Sequence, residues 1–443
     1  MLSKFLLTVI ILAHIFILTK LIYFPYPELF VYPYLTNHGL KPYSQILDQH
    51  FPGLIFLPLN LDNLGMNTPG MARIWSITIV LMIHLMLYVF SYRIFKNKWK
   101  ALIVNFLYLI WHPFFEGWVF WIDSFLPLLL LPASYALYKR KLFLSGLFLG
   151  LGIVFKQTLI PLSFLIFIYL FWQSEKSVYK YLLGLLIPII LMLLYLISIG
   201  VIKNFWYWTV IFNLTTYAQY GRGIHPSLAH FSRVFLVFGS AFLVFKKMKS
   251  REGQILLIFL IGTLLGLSTR FDFVHFQPAL PFAILATVYG LERFGKLGRL
   301  GIFGYTLIAV WWLIIFYNGH LGQKVFFFDE QTKITASKIK QYTKPMDKIF
   351  VFGAPPHLYQ MADRLPAGNI FVFQFPWFLM KAEGRILEGI KRDQPEVIVS
   401  DRMVEIEGES IKDYAGKIDR YIQENYEKID SVGSTEILRK KNG

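Results

Sequence analysis

Residues 5–23 read FLLTVIILAHIFILTKLIY, and the polar stretch YPELFVYPYLTNHGLKPYSQILDQHFPG follows at residues 26–53. The first run is apolar over about 20 residues, the length that a helix needs to cross the hydrocarbon core of a bilayer. The second places Glu28, Asp48 and His50 soon after that run. This order predicts a membrane-spanning helix whose outer end opens into a loop with ionisable side chains.

The composition of the whole chain is that of a membrane protein. Of its 443 residues, 56% are hydrophobic and 18% are aromatic, and the mean hydropathy is positive, which excludes an ordinary soluble globular domain. There is no cysteine, which excludes disulfides, thiolate catalysis and cysteine-ligated metals. The net charge of +17 would suit a nucleic-acid-binding protein only if the basic residues gathered on a soluble face. They lie between apolar runs instead, so nucleic acid is not an expected partner.

Apolar runs of membrane length recur along the chain, about eleven in all. They lie near residues 3–23, 74–92, 101–115, 122–138, 142–156, 158–173, 181–201, 233–246, 254–270, 278–292 and 300–318. The two short runs around FKQT could instead form one re-entrant hairpin. The basic segments RIFKNKWK, KRK, SEKSVYK, KKMKSREG and ERFGKLGR fall on the same side as Lys4. The positive-inside rule therefore predicts a multi-pass protein of the cytoplasmic membrane, with its N-terminus in the cytoplasm and its C-terminus outside.

Beyond residue 323 the composition changes to that of a small α/β domain. The β-rich runs DKIFVFGAPP, NIFVFQFPW, PEVIVSD and KIDSVGSTEILRK alternate with helix-like segments. We therefore predict a transmembrane domain over residues 1–323 and an extracytoplasmic α/β domain over residues 324–443. The turn VFGAPPHLY lacks the glycine pattern of phosphate-binding or dinucleotide-binding loops, which favours a structural or accessory role for this domain.

Under this topology, acids and cations collect in the outward loops. The polar residues of these loops are Glu28, His38, Asp48 and His50 in the first, Glu116 and Asp123 in the second, Lys156 and Gln157 in the third, Arg222 and His225 in the fourth, and Arg270, Asp272 and His275 in the fifth. The inward loops are short and basic, so any chemistry is expected outside. Partial desolvation would raise the proton affinity of Glu28 and suit it to act as a base, although a helix-capping role fits the same residue. The apolar spacing of YPELFVYPYL predicts an amphipathic helix along the membrane interface.

Three stretches have loop patterns of a known kind: TNHGLKPYSQILDQHFPG at 36–53, residues 116–162, and TRFDFVHFQPALPFAIL at 269–285. They are similar to a G-x-x-P-Y-x-D/E-x-x-x-H-x-P loop, to an acidic loop followed by G-x-x-x-G-x-x-x-x-x-K, and to an R-x-x-H-Y-x-x-P-x-x-P element. Together they resemble the glycosyltransferases of the C superfamily (GT-C), in the family 39 branch that includes protein O-mannosyltransferases and lipid A aminoarabinose transferases. The W-W-D-Y-G type signature of oligosaccharyltransferases is absent from the sequence.

The resemblance implies an inverting, polytopic α-helical enzyme of the cell envelope. It would transfer a monosaccharide, mannose in one part of the family, from a polyprenyl phosphate to a lipid, glycan or protein acceptor on the outer face of the membrane. Glu28 or Asp123 would take the proton of the acceptor hydroxyl. Arg270, with Lys156 and Arg222 behind it, would bind the donor phosphate. The phosphate would leave already ionised, so no general acid is required.

Other roles stay open at this level. The residues expected to contact substrate or to order the loops are Tyr43, Asp48, His50, Glu116 and His275. His50 and His275 could bind a divalent metal with Glu28 or Asp48, although two histidines in separate loops form no spacing signature. Arg270 and Asp272 could form a structural ion pair.

Two further function classes are compatible with the spans. A transporter or flippase of lipid-linked sugars predicts inverted repeats, which the hydropathy does not show. A non-catalytic membrane scaffold predicts that the polar residues of the first two loops can be replaced without loss. The transferase is favoured because carboxylates lie in both early outward loops and cations lie in the later ones.

Overall fold

The structure, a computed structural model, describes residues 1–221, 226–268, 270–291, 296–345 and 347–441. Its helices are α1 (Leu2–Lys20), α2 (Glu28–Asn37), α3 (Gly53–Phe56), α4 (Pro69–Phe95), α5 (Lys98–Phe114), α6 (Pro127–Tyr138), α7 (Leu142–Phe155), α8 (Ile160–Trp172), α9 (Val178–Ser198), α10 (Ile202–Trp206), α11 (Ala218–Gly221), α12 (Leu228–Phe238), α13 (Arg251–Leu264), α14 (Leu280–Gly290), α15 (Lys296–His320), α16 (Glu330–Tyr342), α17 (Leu358–Ala362), α18 (Pro376–Asp393), α19 (Ile411–Tyr414) and α20 (Gly416–Asn425). Its strands are β1 (Phe24–Pro25), β2 (Ile46–Leu47), β3 (Val119–Phe120), β4 (Lys348–Phe352), β5 (Leu365–Pro366), β6 (Phe371–Val372), β7 (Val397–Ser400), β8 (Glu405–Ile406), β9 (Glu409–Ser410), β10 (Tyr426–Val432) and β11 (Thr435–Lys440).

The chain folds as two compact units, each assembled from separate parts of the sequence. Unit 1 consists of Met1–Phe24, Ala72–Met192 and Gly221–Lys324. Unit 2 consists of Pro25–Met71, Leu193–Tyr220 and Val325–Gly443. The segment after residue 324 therefore folds together with the first polar loop, and the domain boundary placed there from composition stays a prediction.

Several helices have the length and composition of membrane spans. Within the described residues, five qualify: Leu2–Lys20, Pro69–Phe95, Val178–Ser198, Leu228–Lys247 and Gly301–His320. Shorter apolar helices occupy Ile122–Tyr138, Leu142–Phe155, Gln157–Trp172 and Leu280–Gly290. A helix lies at each apolar run predicted from the sequence, with shifted ends. The chain is thus a multi-pass membrane protein, while the total of about eleven crossings and their orientation stay predictions.

Glycines bring α7 and α9 into close contact in unit 1. A Cβ atom added to Gly146 would lie 2.1 Å from the carbonyl oxygen of Tyr181, and one added to Gly184 would lie 2.1 Å from that of Phe143. Any larger residue would therefore push the two helices apart. The G-x-x-x-G pattern of this segment serves helix packing, because small residues let helix backbones approach closely in a membrane.

A chain of buried histidines connects three helices of unit 1. Nδ1 of His14 lies 2.8 Å from Nε2 of His84, and Nε2 of His14 lies 3.1 Å from Nδ1 of His112. His84 Nδ1 lies 2.8 Å from Oδ1 of Asn105, whose amide nitrogen donates to the Ala101 carbonyl at 2.9 Å. Because the amide oxygen can only accept, His84 carries its proton on Nδ1, and the same tautomer follows for the other two rings. The helices α1, α4 and α5 are thus joined by directed hydrogen bonds.

Replacing His84, the ring that connects Asn105 to His14, should weaken unit 1. In the His84→Phe variant, Oδ1 of Asn105 and the Nδ1–H of His14 lose their partner inside a buried cluster. We expect a loss of about 1–3 kcal/mol, the cost of leaving buried polar groups unsatisfied, measured by denaturant unfolding in detergent. The control is Leu85→Phe, one residue along the same helix at a side chain that is 48% exposed. Equal stability of the two variants would contradict the role assigned to the chain of imidazoles.

Unit 2 contains a five-stranded mixed sheet in the order β10-β11-β7-β4-β5. Strand β4 is parallel to β5 and to β7, whereas β11 is antiparallel to β7 and forms a hairpin with β10. The runs DKIFVFGAPP, PEVIVSD and KIDSVGSTEILRK thus form strands, as the sequence predicts. The run NIFVFQFPW supplies β6, which pairs in parallel with β2 of the first loop and does not join this sheet.

The first loop does not form an interfacial helix. The residues of α2 from Glu28 to Leu35 are all buried, so the helix has no solvent or lipid face along this length. Within unit 2 it packs against α3 and α17. The prediction of an amphipathic helix lying along the membrane surface was therefore wrong, because tertiary packing covers both faces of the helix.

Candidate functional site

Three ionisable side chains from three separate loops meet in unit 1. Nζ of Lys156 lies 2.5 Å from Oδ2 of Asp123, and Nδ1 of His275 lies 3.0 Å from the same oxygen. Nζ of Lys156 is 3.1 Å from Nδ1 of His275. The sequence analysis assigned these residues to proton transfer, to phosphate binding and to substrate contact or metal binding, and the structure brings them together.

Short turns at helix ends place these side chains. Asp123 lies in the 3-10 turn Ile122–Phe125, directly before α6, whose first turn contains a proline. Lys156 follows the last residue of α7 in extended conformation. His275 lies in the 3-10 turn Phe273–Phe276 before α14. Each ionisable residue thus leaves a helix at its end, where side chains can converge without crossing apolar helix faces.

The cluster is largely removed from water. The side chains of Lys156 and Asp123 are 9% and 3% exposed, so each charge depends on the other for compensation. Burial, followed by the charge of Lys156, lowers the pKa of His275, while Asp123 acts in the opposite direction. The imidazole is therefore neutral near pH 7 and shares the carboxylate oxygen with the ammonium.

Glu116 is tied to the segment that carries His275. Its Oε2 accepts a hydrogen bond from the Val274 N–H at 2.9 Å, and its carbonyl oxygen accepts one from Nε2 of Gln277 at 2.8 Å. Oε1 of Gln277 accepts a hydrogen bond from Ser124 at 2.9 Å. Gln277 therefore links the turn of Glu116 to the residue that follows Asp123. No local pattern singles out Gln277, because its role depends on contacts between segments that are distant in sequence.

The turn at Glu116 has an unusual backbone. Glu116 has φ of 59°, in the left-handed region that non-glycine residues rarely adopt. A Cβ atom added to Gly117 would lie 2.3 Å from Nδ1 of His112, so a side chain cannot be accommodated there. Strained backbone of this kind recurs at functional sites, where the surrounding contacts hold it in place.

The environment of Glu116 favours a carboxyl that titrates near neutrality. Its pKa is raised to about 7: burial, the largest cause, and the charge of Asp272 raise it, whereas Arg233 and the Val274 N–H act in the opposite direction. Arg233 also donates to the carbonyl of Phe114 and places its guanidinium 3.7 Å from the ring centroid of Phe273. Arg233 was not among the predicted site residues because it opens an apolar run and gives no motif signal.

The fifth loop contains the expected ion pair. Nε of Arg270 lies 2.6 Å from Oδ2 of Asp272, and the side chains are 26% and 34% exposed. This contact is the ion pair that the sequence analysis considered as a structural alternative. Because both side chains are partly exposed, the guanidinium also reaches solvent. Arg222 and His225 lie outside the described residues.

Residues of the first loop form a separate network in unit 2. Oδ2 of Asp48 accepts a hydrogen bond from Tyr32 at 2.5 Å, and Oδ1 accepts from the backbone N–H of His50 at 2.7 Å and lies 2.8 Å from its Nδ1. The Tyr43 hydroxyl donates to the His50 carbonyl at 2.9 Å. Burial, then the charge of Asp48, raises the pKa of Tyr43. These contacts order the first loop, as the sequence analysis predicts for these residues.

Glu28, at the start of α2, is 8% exposed and lines a cavity of unit 2.

The geometry does not form a metal site at the proposed histidines. Within the described ranges, no group of three or more His, Cys, Asp or Glu side chains is placed to hold a metal ion. At His275, the ammonium of Lys156 occupies the side of the Asp123 carboxylate where a cation would bind. At His50, the Asp48 oxygens already accept hydrogen bonds. Neither position provides the three protein ligands usual for a catalytic zinc ion.

A solved structure shares the architecture of the chain. ArnT from Cupriavidus metallidurans bound to undecaprenyl phosphate matches over 98% of this chain and 97% of its own, with a TM-score of 0.63 and 12% identity. The chain has the GT-C fold. A second match is the oligosaccharyltransferase of Archaeoglobus fulgidus in complex with Zn and sulfate, over 89% of this chain and 68% of that one, with a TM-score of 0.49 and 12% identity. No protein-family model and no curated protein sequence matches the chain.

The shared fold agrees with the fold that the resemblance of the three loop patterns implies. At this identity the comparison concerns the fold, so the roles of individual residues rest on the contacts within the chain itself. In those contacts the second, third and fifth loops meet in one cluster through Asp123, Lys156 and His275. The first-loop residues have their own network in unit 2.

Proposed function

We propose that this GT-C protein is an integral-membrane glycosyltransferase that transfers a monosaccharide from a polyprenyl-phosphate donor to a hydroxyl group of a lipid, glycan or protein acceptor. The observation that supports the proposal is the buried cluster of Asp123, Lys156 and His275, with Glu116 bound to the segment next to it. Ionisable groups are costly within a membrane protein and mark functional sites by default. A non-catalytic scaffold would not require a carboxylate, an ammonium and a neutral imidazole from three different loops to be buried together.

The reaction follows as a single displacement. The acceptor oxygen attacks the anomeric carbon, the bond from that carbon to the phosphate oxygen breaks, and the configuration inverts. The acceptor proton passes to a carboxylate, and the polyprenyl phosphate leaves as an anion without a general acid. Cations that hold the phosphate stabilise the charge that develops on it.

Glu116 is the best candidate for the base. A base works best when its pKa lies near the working pH, and burial raises the pKa of Glu116 to about 7. Asp123 is held as an anion by Lys156 and is better suited to orient His275 and the ammonium. This assignment revises the ranking from sequence, in which Glu28 and Asp123 were catalytic. Glu28 remains a second candidate, since its carboxylate lines a cavity that a substrate could enter.

Arg270, in the fifth loop, is proposed to bind the donor phosphate. Lys156, in the third loop, is proposed as a second, buried cation for the same phosphate. Replacing Arg270 by Ala should weaken donor binding by about ten- to a hundredfold, because a hydrogen bond to a charged group contributes about 1.5–3 kcal/mol. The measurement is binding of a polyprenyl phosphate to purified protein in nanodiscs. Arg420→Ala, at an exposed position of α20, is the control. Affinity equal to the control would return Arg270 to a structural ion pair with Asp272.

A reconstituted assay separates the transferase from the transporter. Protein in liposomes is given donor with a labelled sugar together with a membrane extract as the source of acceptor. A transferase releases free polyprenyl phosphate and passes the label to another molecule, whereas a flippase moves the donor intact across the bilayer. Movement of intact donor without release of polyprenyl phosphate would overturn the proposed function. The side of the membrane on which the label is transferred would test the predicted outer location.

A further inference from the structure

A helical segment with an exposed apolar face follows the α9 helix in unit 2. It consists of α10 (Ile202–Trp206) and a π-helix (Tyr207–Tyr217) that continues it without a break. Four large apolar side chains of this 202–217 segment are between 40% and 75% exposed: Trp206, Tyr207, Ile211 and Leu214. Exposed apolar side chains that gather on one face mark a surface for another molecule or for lipid.

The opposite face of the 202–217 segment is fixed by contacts within unit 2. Phe205 and Phe212 are both buried. The ring of Phe205 lies edge-on to that of Tyr43 in the first loop, with 5.2 Å between the centroids. The ring of Phe212 stacks on that of Phe378 in α18, at 5.1 Å. Because these contacts determine which side of the helix is buried, the exposed side chains cannot turn inward.

The segment begins where a membrane-spanning helix ends. The α9 helix, Val178–Ser198, is long and apolar enough to cross a bilayer, and its last residues, from Leu193 onward, belong to unit 2. Residues 199–201 connect it to α10, and a connection of three residues spans at most about 10 Å. Gly200 in this connection has φ of 76°, a conformation that favours glycine and turns the chain away from the helix axis. The segment therefore begins close to the membrane surface at which α9 ends.

The exposed side chains suit the boundary between lipid and water. Tryptophan and tyrosine are enriched at that depth because their rings are apolar while their N–H and O–H groups reach water. Two such residues, Trp206 and Tyr207, come first on this face, and aliphatic side chains follow. Lys203, the only charged residue of the segment, is exposed and suits the lipid phosphates. An apolar face that continues from a membrane span is thus matched by the bilayer itself.

We propose that the 202–217 segment lies in the membrane–water interface and binds the bilayer through its four exposed apolar side chains. Contact with lipid requires neither donor nor acceptor, so this surface lies beyond the proposed transfer reaction. The interfacial helix expected from sequence at residues 26–35 is buried, whereas the 202–217 segment has the exposure that such a helix needs. On its buried side the segment supports the first loop, since Nδ2 of Asn213 donates to the carbonyl of Gln49 at 3.1 Å.

The test is site-directed spin labelling of the full-length protein in nanodiscs. Because the chain contains no cysteine, each engineered cysteine carries the only label. The labels are placed at Ile211→Cys and Leu214→Cys, with Glu424→Cys, at an exposed position of α20, as the control. Collision with oxygen, which concentrates in lipid, and with a nickel chelate, which stays in water, is measured by EPR.

The labels at positions 211 and 214 should collide more with oxygen than with the nickel chelate, at a depth of about 5–10 Å in the boundary between headgroups and acyl chains. The Glu424→Cys label should show the reverse order. Predominance of the nickel chelate at either position would place the face in water. Low accessibility to both reagents would place protein on the face, such as a second copy of the chain. Either result would overturn the proposal.

A second measurement uses the unmodified protein, so it does not depend on how the variants fold. The nanodiscs contain a phospholipid with a photoreactive group at the start of its acyl chain, and the labelled peptides are identified by mass spectrometry. Residues 206–214 should be labelled together with α9, which serves as the positive control, while α20 should stay unlabelled. Label on α9 without label on residues 206–214 would contradict contact between the segment and the bilayer.

Discussion

Replacement of Asp123 by Asn should destabilise the protein by about 3–5 kcal/mol, because it leaves the buried ammonium of Lys156 without its anion. The sequence alone predicts that this variant folds like the wild type, since size and shape are kept. The structure adds the cost of an unpaired buried charge. Denaturant unfolding in detergent measures the loss. Asp272→Asn, which breaks a partly exposed pair, serves as the control and should lose at most about 1 kcal/mol.

A double variant separates stability from chemistry at this site. Asp123→Leu combined with Lys156→Met removes both charges and should recover much of the stability, since apolar replacements of buried ion pairs are often neutral. Sugar transfer should remain lost in the same variant, because both the carboxylate and the cation are gone. Recovery of transfer together with stability would show that the pair is structural and would remove it from the proposed mechanism.

Replacement of Glu116 by Gln should lower transfer by about 10²–10⁴-fold, the usual contribution of a general base. The pKa of Glu116 is raised to about 7 from 4.5, so the fraction of carboxylate rises through neutral pH. Transfer by the wild type should therefore increase from pH 5 to pH 7 and level off above it. The Gln variant should lack this dependence, as measured by release of polyprenyl phosphate across the pH range.

The same ionisation affects stability in the opposite direction. A carboxyl whose pKa is raised by folding stabilises the folded state most when it is protonated, and the contribution is lost as the pH rises from about 4.5 to about 7. Wild-type stability should thus fall across this window more steeply than that of Glu116→Gln. Glu252→Gln, in the first turn of α13, is the control for loss of a carboxylate elsewhere in unit 1. A wild-type transfer rate in Glu116→Gln would exclude Glu116 as the base.

The sequence by itself determined the class of protein and the positions of its helices. Hydropathy and the spacing of basic segments are local properties, so the runs around residues 74–92 and 181–201 could be placed before any contact was known. The β-rich runs that became β4 and β7 were visible for the same reason. The loop patterns indicated the GT-C fold, and they singled out Asp123, Lys156 and His275 as polar residues at the ends of apolar runs.

Only the tertiary structure decided which of these residues meet. Lys156 lies 33 positions from Asp123 and 119 from His275, and the packing of their turns against one another brings the side chains together. The raised pKa of Glu116 comes from burial by residues distant in sequence. The burial of α2 and the pairing of β6 with β2 likewise depend on neighbours that no local pattern identifies. Local periodicity specifies an element, whereas a site depends on the free energy of long-range packing, which is a property of the whole fold.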